Sequence, residues 1–301
     1  MPSLAILIPI FNHDVRPLVT ELRAQAADWP GGPVEIHLLD DGSRPEFRAP
    51  HWPLVVLPGV SYRELPANVG RAAIRNQLAA SAQAEWLLLL DNDSRLPDGR
   101  FLARYAQAQA AAPATEVFIG GTTYAAAPPA DPALRLRWHY GRVREARLAA
   151  VRQAAPYNQL TVNNILVRGE TLRRLPFDET LRDYGHEDTL FGLALAAAGA
   201  AVRHLDNPVR HEGLEPAAVF LEKSEQAVRT LAGLLRREPG LAHASRLARL
   251  AARLRGAGLA GVARAALGRL EPGLRQLLSS ARPALPALDA LKLLWLLRET
   301  R

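Results

Sequence analysis

Trp86-Leu87-Leu88-Leu89-Leu90 is an unbroken apolar run of strand length that stops abruptly at Asp91-Asn92-Asp93, and no other feature constrains the fold as much. A run this short with no polar alternation predicts a strand buried on both faces, as in a parallel sheet covered by helices. Leu4–Ile10 has the same character. Val34–Leu39 predicts a second strand, ending at the turn Asp40-Asp41-Gly42-Ser43, and Leu54–Leu57 a third. Between them lie helical spacings: Val15, Leu18, Leu22 and Ala26 within Val15–Ala27, and a helix over Arg71–Ser81 opened by Asn68-Val69-Gly70. Alternating strands and helices imply βαβ units and a mostly parallel central sheet flanked by helices, an α/β fold of Rossmann-like type. Ligands of such sheets bind beyond the carboxyl ends of the strands. Both acidic clusters stand there.

The middle of the chain reads less sharply. Glu116–Thr123 and Asn163–Arg168 predict strands, and Thr171–Leu175 a short helix. The Arg-rich Leu134–Ala155 predicts helix. Thr189–Ala198 predicts a helix stopped by Gly199, followed by a strand at Val202–Leu205 and a loop at Pro208–Glu212.

After Gly213 the composition changes. Residues 214–301 carry 15 Lys+Arg against 7 Asp+Glu, whereas residues 1–213 carry 22 against 23. Repeated Leu, Ala and Arg predict helices broken at Pro239-Gly240, Gly256–Gly261, Pro272-Gly273 and Pro283–Pro286. In Ser245–Leu254, Leu247, Leu250, Ala251 and Leu254 fall on one helical face and Arg246, Arg249 and Arg253 on the other. Leu288–Leu297 is apolar on nearly every side. It belongs in the chain's own core, against a protein partner or in a membrane interface, and the first is the simplest reading. The basic surplus is either a solvated helical surface or a surface that attracts an anionic membrane or polymer. With few aromatics and no binding motif in this region, nucleic acid is not expected as a partner.

No apolar stretch reaches the ~20 residues of a spanning helix, and no leader is evident at the start, so a cytoplasmic protein, peripheral at most at the inner membrane face, is expected. Cysteine is absent, which excludes disulfides, zinc-thiolate sites and a cysteine nucleophile. The first strand is followed by Phe11-Asn12-His13 rather than G-x-G-x-x-G, and no Walker lysine motif exists, which argues against a dinucleotide-dependent enzyme or a nucleotidyltransferase.

Asp91-Asn92-Asp93 offers two oxygen ligands for a hard cation such as Mn2+ or Mg2+, although Asp-x-Asp is also an ordinary polar turn. Asp188 sits in the first turn of a predicted helix, where carboxylates are common as caps. Arg71 and Arg75 suit phosphates or ion pairs equally. Trp138, His139 and Tyr140 form either a sugar-stacking platform or, more simply, local packing. Taken in order, Ile8-Pro9-Ile10-Phe11-Asn12, Asp40-Asp41-Gly42-Ser43, Asn68-Val69-Gly70-Arg71 through Asn76, Asp91-Asn92-Asp93, Asn163 through Arg168 with Phe177-Asp178-Glu179, Tyr184-Gly185-His186-Glu187-Asp188 and Asn207 through Gly213 resemble the inverting family 2 glycosyltransferases of the GT-A fold.

The resemblance covers Leu4 to Gly213. It implies a glycosyltransferase domain over 1–213, with a nucleotide-sugar half at 1–100 and an acceptor and catalytic half at 101–213, and a helical appendage at 214–301. It implies transfer from a nucleoside-diphosphate sugar, UDP-linked by preference, to the hydroxyl of a glycan or lipid-linked acceptor. The donor would lie against Pro9, Phe11, Asn12, Asp41, Asn68, Gly70, Arg75, Asp91 and Asn92. Asp93 would be the principal ligand of Mn2+ or Mg2+, with His211 and Asp91. Asp188 would be the general base, with Glu187 beside it at the acceptor. Ser94 departs from the family pattern, where a further Asp is common, so the division of labour between Asp91 and Asp93 stays open. A transferase-like scaffold without turnover is the alternative. A peripheral membrane or protein partner would engage 214–301.

Overall fold

The computed structural model describes residues 3–158, 160–181, 185–238, 241 and 245–300. Its contacts divide the chain into two units. One comprises residues 1–124, 145–180 and 187–213, and the other residues 125–144, 181–186 and 214–301.

The first unit is built on a seven-stranded sheet. Its strands are β1 (Leu4–Ile10), β2 (Val34–Asp40), β3 (Val60–Glu64), β4 (Trp86–Leu90), β6 (Val117–Ile119), β8 (Asn164–Arg168) and β9 (Val202–His204). A second, three-stranded sheet joins β5 (Ser94–Arg95), β7 (Thr122–Thr123) and β10 (Val209–His211). The large sheet runs β3-β2-β1-β4-β8-β6-β9. Only β8 pairs antiparallel, to β4 and to β6; the other pairings are parallel. The order reverses at β1, so the ends of β1, β2 and β4 open into one crevice.

The apolar runs are explained by the two faces of this sheet. In β1, Leu4, Ile6, Ile8 and Ile10 enter one core cluster, while Ala5 and Leu7 enter another. In β4, Trp86, Leu88 and Leu90 join the first cluster, Leu87 and Leu89 the second. A strand covered on both sides has no position for a polar residue until it emerges, and Asp91 is where β4 emerges. The covering helices include α1 (Arg16–Ala24), α3 (Arg71–Ser81), α4 (Phe101–Ala111), α7 (Gly169–Arg174) and α8 (Glu187–Ala197), with shorter α2 (Pro45–Arg48) and α6 (Ala149–Gln153).

Four expectations are corrected here. Leu54–Leu57 is no strand: residues Ala49–Val56 form a 3-10 helix, seeded by Pro50 and Pro53, whose fixed φ suits a tight turn. The third strand is Val60–Glu64, whose one deeply buried apolar side chain, Tyr62, gives almost no periodic signal. Glu116–Thr123 is split at Gly120-Gly121 into β6 and β7, which belong to different sheets. Pro208–Glu212 contains β10. Leu134–Ala155 is not one helix but α5 (Arg135–Tyr140), a π turn at Gly141–Glu145 and α6.

The second unit is helical: α5, α9 (Ala217–Arg237), α10 (Arg246–Gly256), α11 (Ala260–Leu278) and α12 (Leu285–Glu299). Leu288, Leu291, Trp295 and Leu296 of α12 are buried with Leu136, Phe220, Leu221, Val228 and Leu278, so this apolar segment packs in the chain's own core. Tyr140 stacks obliquely on Phe220 at 5.1 Å, and Trp138 donates its indole N–H to the Ala125 carbonyl at 2.8 Å, so this aromatic group serves local packing. Pro272 does not break α11. Leu274 and Leu278 beyond it are drawn into the core, and Glu271 is held by Arg275 at 2.9 Å and Arg298 at 2.8 Å, which together override the local penalty. Leu250, expected on the packed face of α10, is exposed. The expected break at Pro239-Gly240 lies outside the described residues.

Candidate active site

The end of β2 is closed first by its own residues. Asp40 is fully buried, and its Oδ1 accepts from the Ser43 N–H at 2.6 Å, so this carboxylate shapes the turn. Gly42 has φ of 73°, and a Cβ there would lie 2.8 Å from the Ala67 backbone. Only glycine lets the two loops close, and Asp41 then accepts from the Val69 N–H at 2.7 Å. Burial pushes the Asp41 carboxyl up, and the backbone N–H groups of Val69 and Gly70 oppose that. Gly70, at φ 93°, caps α3 and is held by conformation, with open space where its side chain would be.

At the end of β1, Asn12 sits in the left-handed region at φ 49°. Its N–H donates to Ser43 Oγ at 2.8 Å and its Oδ1 accepts from the Arg44 N–H at 2.9 Å. Phe11 is exposed beside it, Pro9 is half-buried, and Asn92 reaches the Phe11 carbonyl at 3.4 Å. Asn68 is exposed on the neighbouring loop.

The Asp91 carboxylate is gripped by two arginines. Arg75, only 3% exposed, donates through Nη2 to Asp91 Oδ1 at 2.5 Å and through Nη1 to the Arg71 carbonyl. Arg71 Nη2 stands 3.5 Å from Asp91 Oδ2, and its Nε donates to Glu187 Oε1 at 2.6 Å. Burial alone would raise the Asp91 carboxyl, but Arg75 and Arg71 overcome this and hold it below its usual range.

Asp93 differs in kind. Its Oδ1 is buried and has no hydrogen-bond partner, and it lies 3.3 Å from His211 Nδ1. The register of the small sheet makes this meeting: His211 pairs with Ser94 across β10 and β5, and the Glu212 N–H donates to the Asp93 carbonyl at 2.9 Å. A Cβ on Gly213 would fall 2.0 Å from Asp93 Oδ2, so that glycine keeps the carboxylate in place. Tyr124 meets the His211 ring edge-on at 5.5 Å. A buried acceptor with no donor, facing an imidazole nitrogen, fits a divalent cation chemically. Among the described residues no group of three or more His, Asp and Glu forms a metal cluster, so ligands beyond these two would come from substrate phosphate and water.

Asp188 opens α8. Its Oδ2 accepts a long bond from the Val162 N–H at 3.4 Å, and its Oδ1 is buried without a partner. Burial, then the neighbouring Glu187 charge, push its carboxyl up to about 7, with Arg75 and Arg71 pulling back. A carboxylate poised near neutrality is what proton abstraction at physiological pH requires. Tyr184 of the same motif lies outside the described residues.

One supporting group had no sequence signal. Arg152 is buried and donates to the carbonyls of Ile119, Gly120, Leu205 and Arg147 at 2.7–3.1 Å, and meets His204 Nδ1 at 2.6 Å. It ties the end of β6 to the strand before β10. In sequence it is one arginine of an Arg-rich stretch.

Residues 5–154 match the family model described as glycosyl transferase family 2. The chain is 33% identical over 103 residues to the UDP-forming cellulose synthase catalytic subunit of Xanthomonas axonopodis pv. citri (strain 306), a match covering 34% of this chain and 13% of that protein. It is 31% identical over 98 residues to an N-acetylglucosaminyltransferase of Rhizobium leguminosarum bv. phaseoli, covering 32% of this chain and 23% of that one. The chain thus matches only a small part of these curated relatives. In fold it is similar to a mannosyltransferase from Pyrobaculum calidifontis solved with GDP-Man and Mn2+, at TM-score 0.59 and 18% identity, covering 99% of this chain and 87% of that one. S. aureus TarS 1-349 with UDP aligns at TM-score 0.51 and 17% identity, covering 99% and 90%. The chain belongs to family 2 of the glycosyltransferases and has the GT-A fold.

Proposed function

We propose that this chain transfers a sugar, with inversion, from a nucleoside-diphosphate sugar to an acceptor hydroxyl. The observation that carries the reading is that Asp93 Oδ1, beside His211, and Asp188 Oδ1, in the first turn of α8, are buried without partners in one unit; Asp40 Oδ2 is a third such oxygen, on a carboxylate whose Oδ1 already holds the Ser43 turn. Two orphaned anionic acceptors are costly to keep unless a cation and a proton donor visit them.

In this reading Asp41 contacts the nucleotide base, and Pro9, Phe11, Asn12, Asn68, Gly70 and Asn92 line the donor. Asp93 and His211 hold Mn2+ or Mg2+, which supplies charge neutralisation at the leaving diphosphate when bound. Asp91 keeps Arg71 and Arg75 in place. Glu187 orients the acceptor and Arg71. The acceptor oxygen bonds to the anomeric carbon as the bond from that carbon to the diphosphate oxygen breaks. The electron pair leaves with the nucleoside diphosphate, and the hydroxyl proton passes to Asp188. A single displacement by one base inverts the anomeric centre. The UDP-forming relative supports a UDP-sugar donor, and the neighbour solved with GDP-Man and Mn2+ supports a metal-bound diphosphate.

The test is the pH dependence of transfer from UDP-sugars. Because the Asp188 carboxyl is raised to about 7, kcat/KM should fall as pH drops through that value, where the base becomes protonated. Asp188→Asn should lower kcat about 10²–10⁴-fold with nucleotide binding kept. Full activity in Asp188→Asn would refute the assignment of the base.

A further inference from the structure

The apolar segment Leu288–Leu297 is consumed by the chain's own core, yet the same unit leaves another apolar surface uncovered. In α11 and the residue before it, Leu259, Val262, Ala266, Leu270 and Leu277 are exposed, Val262 by 68% and Leu270 by 58%. At 100° per residue these positions fall within about 80° of arc, one continuous stripe. The adjoining face, with Ala263, Leu274 and Leu278, packs inward, so the stripe runs along the edge of the packed side. Leu250 of α10, 45% exposed, adds to the uncovered apolar surface.

Charge around the stripe is of one sign. Between Ser245 and Leu270 there are six arginines and no carboxylate. Arg246, Arg253, Arg255 and Arg269 are exposed. The first acid, Glu271, is already taken by Arg275 and Arg298. α10 and α11 are joined by a tight turn, in which the Leu259 N–H donates to the Leu254 carbonyl at 2.8 Å. Both pack on α12, so their outer faces turn away from it.

We propose that the outer face of the α10–α11 hairpin docks on an anionic lipid bilayer, lying in the headgroup layer. An apolar stripe flanked by arginines has the composition of an interfacial helix. A second copy of this chain is the poorer occupant, because it would bring six more arginines and no free carboxylate to the contact. Spanning is excluded for the described residues, as no helix among them is long and apolar enough to cross a membrane. The inference does not depend on the transfer reaction.

The full chain is sedimented with vesicles of phosphatidylcholine alone and of phosphatidylcholine with phosphatidylglycerol, at low and high salt. Binding to the mixed vesicles only, lost at high salt, is expected, since each arginine near an anionic leaflet strengthens binding about fivefold. Val262→Glu with Leu270→Glu should weaken it at least about tenfold with Tm unchanged, because both side chains are already in solvent in the free protein. Arg253→Gln with Arg269→Gln should weaken it through charge alone. Absence of binding to mixed vesicles, or binding equal in both double variants and the parent, would overturn the proposal. So would a dimer in light scattering that the Glu variants dissociate, which would assign the face to a second copy.

Discussion

The ends of β2 and β4 carry matched pairs of carboxylates, Asp40 with Asp41 and Asp91 with Asp93, but the fold treats the members of each pair differently. Asp40 uses Oδ1 on its own turn while its buried Oδ2 has no partner, and Asp41 is bonded to the loop before α3. Asp91 is neutralised by Arg75 and Arg71, whereas Asp93 keeps a buried oxygen with no donor beside His211. Sequence spacing makes the two acids of Asp91-Asn92-Asp93 look interchangeable as ligands. Their surroundings separate them into a structural ion pair and a vacant acceptor. What the fold has already given a carboxylate decides what is left for a ligand.

The largest expected effect breaks the β4 pair apart. Asp93→Asn should cost roughly 10³-fold in kcat/KM, the several kcal/mol a bound cation contributes, with Tm nearly unchanged. Asp91→Asn should do the reverse in its signature: it leaves Arg75 buried without a counter-charge and should cost about 3 kcal/mol in urea unfolding. If the two variants lose metal affinity equally and stability equally, the distinction fails. A smaller effect sharpens it. Gly213→Ala places a methyl on Asp93 Oδ2 and should lower Mn2+ affinity about tenfold, as displaced support of a metal ligand does. The smallest is Asp40→Asn, whose amide oxygen can still accept from Ser43. It should change unfolding free energy by less than about 1 kcal/mol, and a larger loss would mean the charge itself matters at β2.

The fold was legible where burial on both faces leaves a long apolar run. β1, β4 and β8 read directly; β2, which carries Glu35 and His37 in its less buried first half, and α3 were legible as well. Elements carrying one inward side chain were not legible: Val60–Glu64 shows only Tyr62, and the three residues of β10 are too few for any period. That loss matters for the site, because β10 is what sets His211 against Asp93. The residues at the strand ends were visible in sequence, but their partners were not. Arg75 lies on α3, where the sequence leaves phosphate contact and ion pairing equally open, and the structure buries it on Asp91. Arg152 sits among other arginines, and nothing in its neighbours marks an inward-facing guanidinium. The role of Gly213 depends on an atom 120 residues earlier in the chain, which no local pattern encodes.

The most direct test is calorimetric titration of UDP, with and without Mn2+, into the parent protein, Asp91→Asn and Asp93→Asn. Metal-dependent binding in the parent, retained in a folded Asp91→Asn and lost in Asp93→Asn, is the predicted result. Metal-dependent binding that survives in Asp93→Asn but vanishes in Asp91→Asn would contradict the account.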